Sequence, residues 1–158
     1  MVAIIIMGSP SDAEFCEEIT DALESFGIPW QTRVASAHKT PERVRKMLEK
    51  YESDPQAKVY ITVAGRSNAL SGFVDAQVIA PVIACPPYSS TFAGADIYSS
   101  LRMPSGVAPA VVLEPKNAAL LAAKALSLAE PALQECIRAA HAAQRQRLYD
   151  ADAEINAQ

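Results

Sequence analysis

Val2 to Met7 is an unbroken apolar run, rich in isoleucine, that ends at Gly8-Ser9-Pro10-Ser11-Asp12. Six apolar residues without alternation fit a strand buried on both faces, and such strands sit in the middle of parallel sheets. A parallel sheet needs a crossover after every strand, so the pattern to seek downstream is strand, loop, helix, repeated.

The pattern recurs. Ser11 is placed to cap a helix whose apolar face carries Phe15, Ile19, Ala22, Leu23 and Phe26, and Gly27 ends it. Trp30 to Ala35 reads as the second strand. Ser36 to Pro41 follows as a loop, and a helix then carries Val44, Met47, Leu48 and Tyr51 on one face. Val59 to Ala64 is a third strand, Gly65 to Gly72 a loop, Phe73 to Ile79 a short helix and Pro81 to Cys85 a fourth strand. Pro86 to Ser90 leads to a helical stretch near Gly94 to Leu101. A loop through Met103-Pro104-Ser105-Gly106 precedes a short strand at Ala110 to Leu113, and Asn117 is expected to cap a helix reaching about Ala129. Five strands alternating with helices predict a three-layer, flavodoxin-like doubly wound parallel sheet.

The chain has 158 residues, half of them hydrophobic, enough for one core, so a single domain over 1–158 is expected, with 1–130 as the α/β core. Residues 131–158 read as a further helix, with Leu133, Ile137, Ala140 and Gln144 on one face; a small core has little need of it, and packing on a neighbouring subunit is its expected role. The net charge of −4 comes with no basic stripe, which argues against nucleic acid. No apolar run is long enough to cross a bilayer and no leader precedes the first strand, so a cytoplasmic location is expected. Cys16, Cys85 and Cys136 have neither pairing nor metal-ligand spacing, and no metal is expected. Cys85, at the end of an apolar run, reads as a small buried hydrophobe.

Ligands of doubly wound sheets lie at the carboxyl ends of the strands, which selects Gly8 to Asp12, Ser36 to Pro41, Gly65 to Gly72 and Pro86 to Ser90. The first is either a plain capped turn or an anion site where backbone N–H groups and two hydroxyls face one point; Asp12 also suits a sugar hydroxyl or an amine. His38, one of two histidines, is an acid/base candidate in a polar loop beside Lys39, whose ammonium suits a phosphate or carboxylate, with Ser36 two residues earlier. His141 lies among alanines and reads as surface or interface. Gly65 to Gly72, with Arg66, Ser67, Asn68 and Ser71, is either a flexible surface loop or one that lets backbone approach a small planar ligand. Arg102 with Ser105 offers a phosphate contact, or Arg102 neutralises a helix dipole.

Taken in order, Gly8-Ser9-Pro10-Ser11-Asp12, Ser36-Ala37-His38-Lys39-Thr40-Pro41, Ala64-Gly65-Arg66-Ser67-Asn68-Ala69-Leu70-Ser71-Gly72, Cys85-Pro86-Pro87 and Ser99-Ser100-Leu101-Arg102-Met103-Pro104-Ser105-Gly106 resemble the AIR carboxylase family of purine biosynthesis, from Val2 to about Leu128. The family has two branches. The bacterial mutase type, which moves a carboxylate from a carbamate on the substrate amine to the ring, usually has Arg after the His and Gly-Gly-Ala-Ala-His in the third loop. Lys39 and Gly65-Arg66-Ser67-Asn68 instead resemble the animal-like class II branch, which uses carbon dioxide directly and needs neither ATP nor biotin.

The resemblance implies carboxylation of 5-aminoimidazole ribonucleotide (AIR) at ring C4, giving the 4-carboxy product (CAIR), with His38 as general acid/base. It implies substrate contacts from Ser9, Asp12, Ser36, Lys39, Arg66 and Ser67, and a carbon dioxide pocket from Ala64, Gly65, Ser71 and Gly72. It also implies no cofactor, and a homo-oligomer, tetramer or octamer, in which Arg102 and Ser105 contribute to a neighbouring subunit's site. Two other readings stand beside it: the mutase reaction on the same fold, and a non-catalytic nucleotide- or flavin-binding module of flavodoxin type, which a yellow bound chromophore would reveal.

Overall fold

In a computed structural model, which describes residues 1–157, the expected architecture is present. The parallel sheet is built from β1 (Val2–Met7), β2 (Trp30–Val34), β3 (Lys58–Val63), β4 (Val82–Ala84) and β5 (Ala110–Val111), in the order β2-β1-β3-β4-β5. This is the flavodoxin-like order, with the switch point between β1 and β3. All six β1 residues are buried. Their alternation divides the core: Ala3, Ile5 and Met7 face one layer and Val2, Ile4 and Ile6 the other.

Helices α1 (Ala13–Ser25), α5 (Pro115–Leu126) and α6 (Leu133–Asn156) cover the first face; α2 (Pro41–Glu52) and α3 (Ala69–Asp75) cover the second, with the short α4 (Tyr98–Leu101) against α3. The α5 interface is lined with buried alanines at 118, 119, 122 and 123, which let α1 and α5 pack closely over the sheet. Gly27 ends α1 as expected, at φ +68°, with its N–H on the Glu24 carbonyl and the Ile28 N–H on that of Leu23. No helix among the described residues is long and apolar enough to cross a membrane.

Three local expectations are corrected. Ser11 does not cap α1: a 3-10 turn, Pro10–Asp12, comes first, and Ser9 caps it by accepting from the Ser11 N–H at 3.3 Å. Asn117 lies inside α5, because Pro115, whose fixed φ suits a first helical turn, starts the helix earlier, after Glu114; it ends at Leu126 rather than Ala129. The third-loop helix begins at Ala69, not Phe73, because Asn68 accepts the Ser71 N–H and caps it.

Candidate active site

The carboxyl ends of β1, β2, β3 and β4 open onto one polar cleft of about 550 Å³. Its first wall is the turn after β1. Ser9 and Ser11 hydroxyls stand 2.8 Å apart, and Ser11 is within reach of the Asp12 carboxylate. Burial pushes the Asp12 carboxyl above its ordinary range, against hydrogen bonds from the Ser9 backbone and the Ser11 hydroxyl.

The second wall is a self-contained turn. Ser36 donates its N–H to Thr40 Oγ1 at 3.0 Å and receives the Thr40 N–H on its carbonyl at 2.8 Å, while its own hydroxyl accepts the Lys39 N–H. Those bonds use local atoms only, leaving the His38 and Lys39 side chains exposed and free to face the cleft they line. Pro41 then starts α2.

Ala64, Gly65, Arg66 and Ser67 form the third wall. Arg66 adopts φ +59°, a conformation in which a residue with a Cβ persists only where its surroundings hold it. Pro87, Tyr88 and Ser89 close the cleft on the β4 side. Topology had selected that loop, yet neither Tyr88 nor Ser89 carried a signal of its own: a tyrosine and a serine after two prolines look like any turn. Ser11, read as a cap or as one of the two hydroxyls of an anion site, lines the cleft.

Behind the third and fourth loops lies a smaller cavity of about 110 Å³, with Pro86, Ile97 and Leu113 among its lining. Ala64, Gly65 and Arg66 line both spaces.

Two residues assigned to the third loop point elsewhere. Ser71 is fully buried inside α3, bonded to Thr62 and Asn68. Gly72 faces Met103, whose sulfur would lie 3.0 Å from a Cβ there. Helix formation from Ala69 turns both away from the cleft mouth. Arg102 and Ser105 are exposed and line neither cavity. Cys85 is fully buried with its thiol pushed up to about 12 by desolvation, a neutral packing residue and no nucleophile. His141 lies on α6, remote in sequence from every cleft segment.

A flavodoxin-like sheet whose strand ends gather a histidine, a lysine, a raised carboxyl and backbone-lined loops defines an α/β enzyme for a small polar substrate. The AIR carboxylase family model matches residues 2–147. A phosphoribosylaminoimidazole carboxylase of Treponema denticola is 53% identical over 98% of this chain and 97% of its own. One from Archaeoglobus fulgidus is 52% identical over 98% of this chain and 85% of its own. The bifunctional carboxylase/succinocarboxamide synthetase of Rattus norvegicus is 41% identical over 79% of this chain but 29% of its own. The crystal structure of Treponema denticola PurE superposes with a TM-score of 0.95 over 97% of both chains. The chain belongs to the AIR carboxylase family of purine biosynthesis.

Proposed function

We propose that this enzyme is of the class II type and carboxylates AIR at ring C4 with free carbon dioxide, reversibly, in the cytoplasm. The carrying observation is the shared wall: the polar cleft that suits a ribonucleotide and the small, mostly apolar chamber that suits carbon dioxide meet at Ala64, Gly65 and Arg66. Of the class II pattern, Lys39 lines the cleft from the second loop, Gly65, Arg66 and Ser67 line it from the third, and Asn68 caps the helix behind them.

The chemistry needs no cofactor. The 5-amino group makes the imidazole an enamine, so C4 attacks the carbon of carbon dioxide, forming the C–C bond and placing charge on the new carboxylate. His38 takes the C4 proton as aromaticity returns, and gives it back in decarboxylation. Ser9, Asp12, Ser36, Lys39, Arg66 and Ser67 hold the nucleotide, with Lys39 opposite phosphate or carboxylate and Asp12 at the ribose hydroxyls or ring amine. Ala64 and Gly65 remain the carbon dioxide residues; Pro86 and Ile97 take the part first given to Ser71 and Gly72.

The chain acts as one domain in a homo-oligomer, tetramer or octamer, with residues 131–158 as the packing extension and Arg102 and Ser105 reaching a neighbour's site. Leu148, Tyr149 and Ile155 on α6 are 72%, 66% and 74% exposed, an apolar cost that a partner subunit removes. Turnover of AIR with dissolved carbon dioxide alone tests the reading.

A further inference from the structure

Asn68 is 3% exposed, and its polar groups are partnered across element boundaries. Its backbone N–H donates to Ser99 Oγ at 2.9 Å and its side-chain amide donates to Ser100 Oγ at 2.9 Å. Its Oδ1 accepts both the N–H and the hydroxyl of Ser71, at 3.2 and 3.0 Å. Ser71 in turn pairs with Thr62 of β3 at 2.8 Å. The amide orientation is thereby fixed, since turning it over would set donors against donors.

The Ser99 hydroxyl has one proton and two carbonyls in reach, Asp96 at 2.7 Å and Arg66 at 3.3 Å. The serine pair of α4 thus reaches both sides of Ser67: Asn68 after it, which bonds to both serines, and the Arg66 carbonyl before it, which shares the single Ser99 proton with the closer Asp96 carbonyl. Arg66 is the residue held at positive φ, and it lines both the cleft and the chamber.

We propose that Ser99 and Ser100 are positioning residues, which act through Asn68 and the Arg66 carbonyl to hold the Gly65–Ser67 backbone in the conformation the reaction uses. Neither serine lines the cleft, so neither needs to touch the nucleotide; both line the smaller chamber, and hydrogen exchange at the loop separates their hold on the backbone from any contact made there. The effect on rate is indirect: a released Arg66 relaxes toward ordinary φ, and the wall between the two reactants' sites moves. The proposal rests on the carboxylase reading for its kinetic consequence, while its structural half stands on the hydrogen bonds alone.

The test compares Ser99→Thr with Ser99→Val in the full-length protein, side chains of one shape that differ in the hydroxyl. The Thr variant is expected to keep kcat within about threefold of the parent, and the Val variant to lose about tenfold or more in kcat with KM for the nucleotide changed by less than about threefold. Hydrogen exchange at the amides of residues 65–68 is expected to quicken about tenfold in the Val variant only, with β1 unaffected. Equal exchange at residues 65–68 in the two variants, whatever their kcat, would overturn the proposal. If the parent enzyme fails to consume AIR, the carboxylase reading falls and the exchange comparison still decides the loop-holding role. If the Val variant does not fold, Ser99→Ala takes its place against the same Thr control.

Discussion

Gly8 and Ala64 stand so close that a Cβ on Gly8 would lie 3.3 Å from the Ala64 Cβ. The Gly8 N–H also donates to the Val63 carbonyl at 2.8 Å, so the loops after β1 and β3 leave the sheet in contact. That contact joins the anion-suited turn to the wall behind which the small chamber lies.

A methyl at Gly8 must therefore push one of the two loops away. Gly8→Ala is expected to cost about 1 kcal/mol or more in stability, as overpacking does, and to lower kcat/KM several-fold. Thermal unfolding and steady-state kinetics check both; an unchanged kcat/KM would mean that the two loops tolerate separation.

His38→Asn should reduce kcat by about a hundredfold or more while nucleotide affinity, measured by calorimetry, stays nearly constant. The side chain keeps its hydrogen-bonding shape and loses its proton-transfer role. A near-normal rate would remove His38 from the mechanism.

Asp12 carries a pH signature. Burial raises its carboxyl pKa, so the native state holds that proton more tightly than the unfolded chain does. The resulting stability is complete below the unfolded-state pKa, and is lost as pH rises through the raised native value. Asp12→Asn is thus expected to raise Tm at neutral pH relative to the parent, the gap narrowing as pH falls into the carboxylate range, while KM for the nucleotide rises about tenfold. A Tm advantage that widens on acidification would contradict the assigned cause.

Truncation after Glu130 removes α6, of which only Leu133 and Ile137 are buried. The expected result is a smaller assembly by light scattering and lower activity per chain. An unchanged assembly size would assign α6 another role.

The fold was legible because its signals are periodic: the unbroken Val2–Met7 run and the alternation of short apolar segments with amphipathic ones carry topology regardless of detail. Helix starts were harder to read, because they depend on competition between neighbours. Ser9 outcompeted Ser11 for the first turn, Pro115 pre-empted Asn117, and Asn68 began α3 four residues early, which carried Ser71 and Gly72 out of the cleft. Tyr88 and Ser89 were legible only as part of the Pro86 to Ser90 loop that topology selects, because their own place in the site comes from how β4 ends beside β3, a long-range fact with no local pattern. The chamber behind Gly65 is likewise formed by residues from four separate stretches of the chain.

The central claim, free carbon dioxide as co-substrate, is tested most directly by offering the purified enzyme AIR with dissolved carbon dioxide in one assay and the carbamate form of AIR in another. Both assays omit ATP and follow appearance of the C4 carboxylate. The account predicts turnover with AIR plus carbon dioxide and little or none with the carbamate before it decays. Efficient conversion of the carbamate, with AIR and carbon dioxide left unreacted, would contradict it.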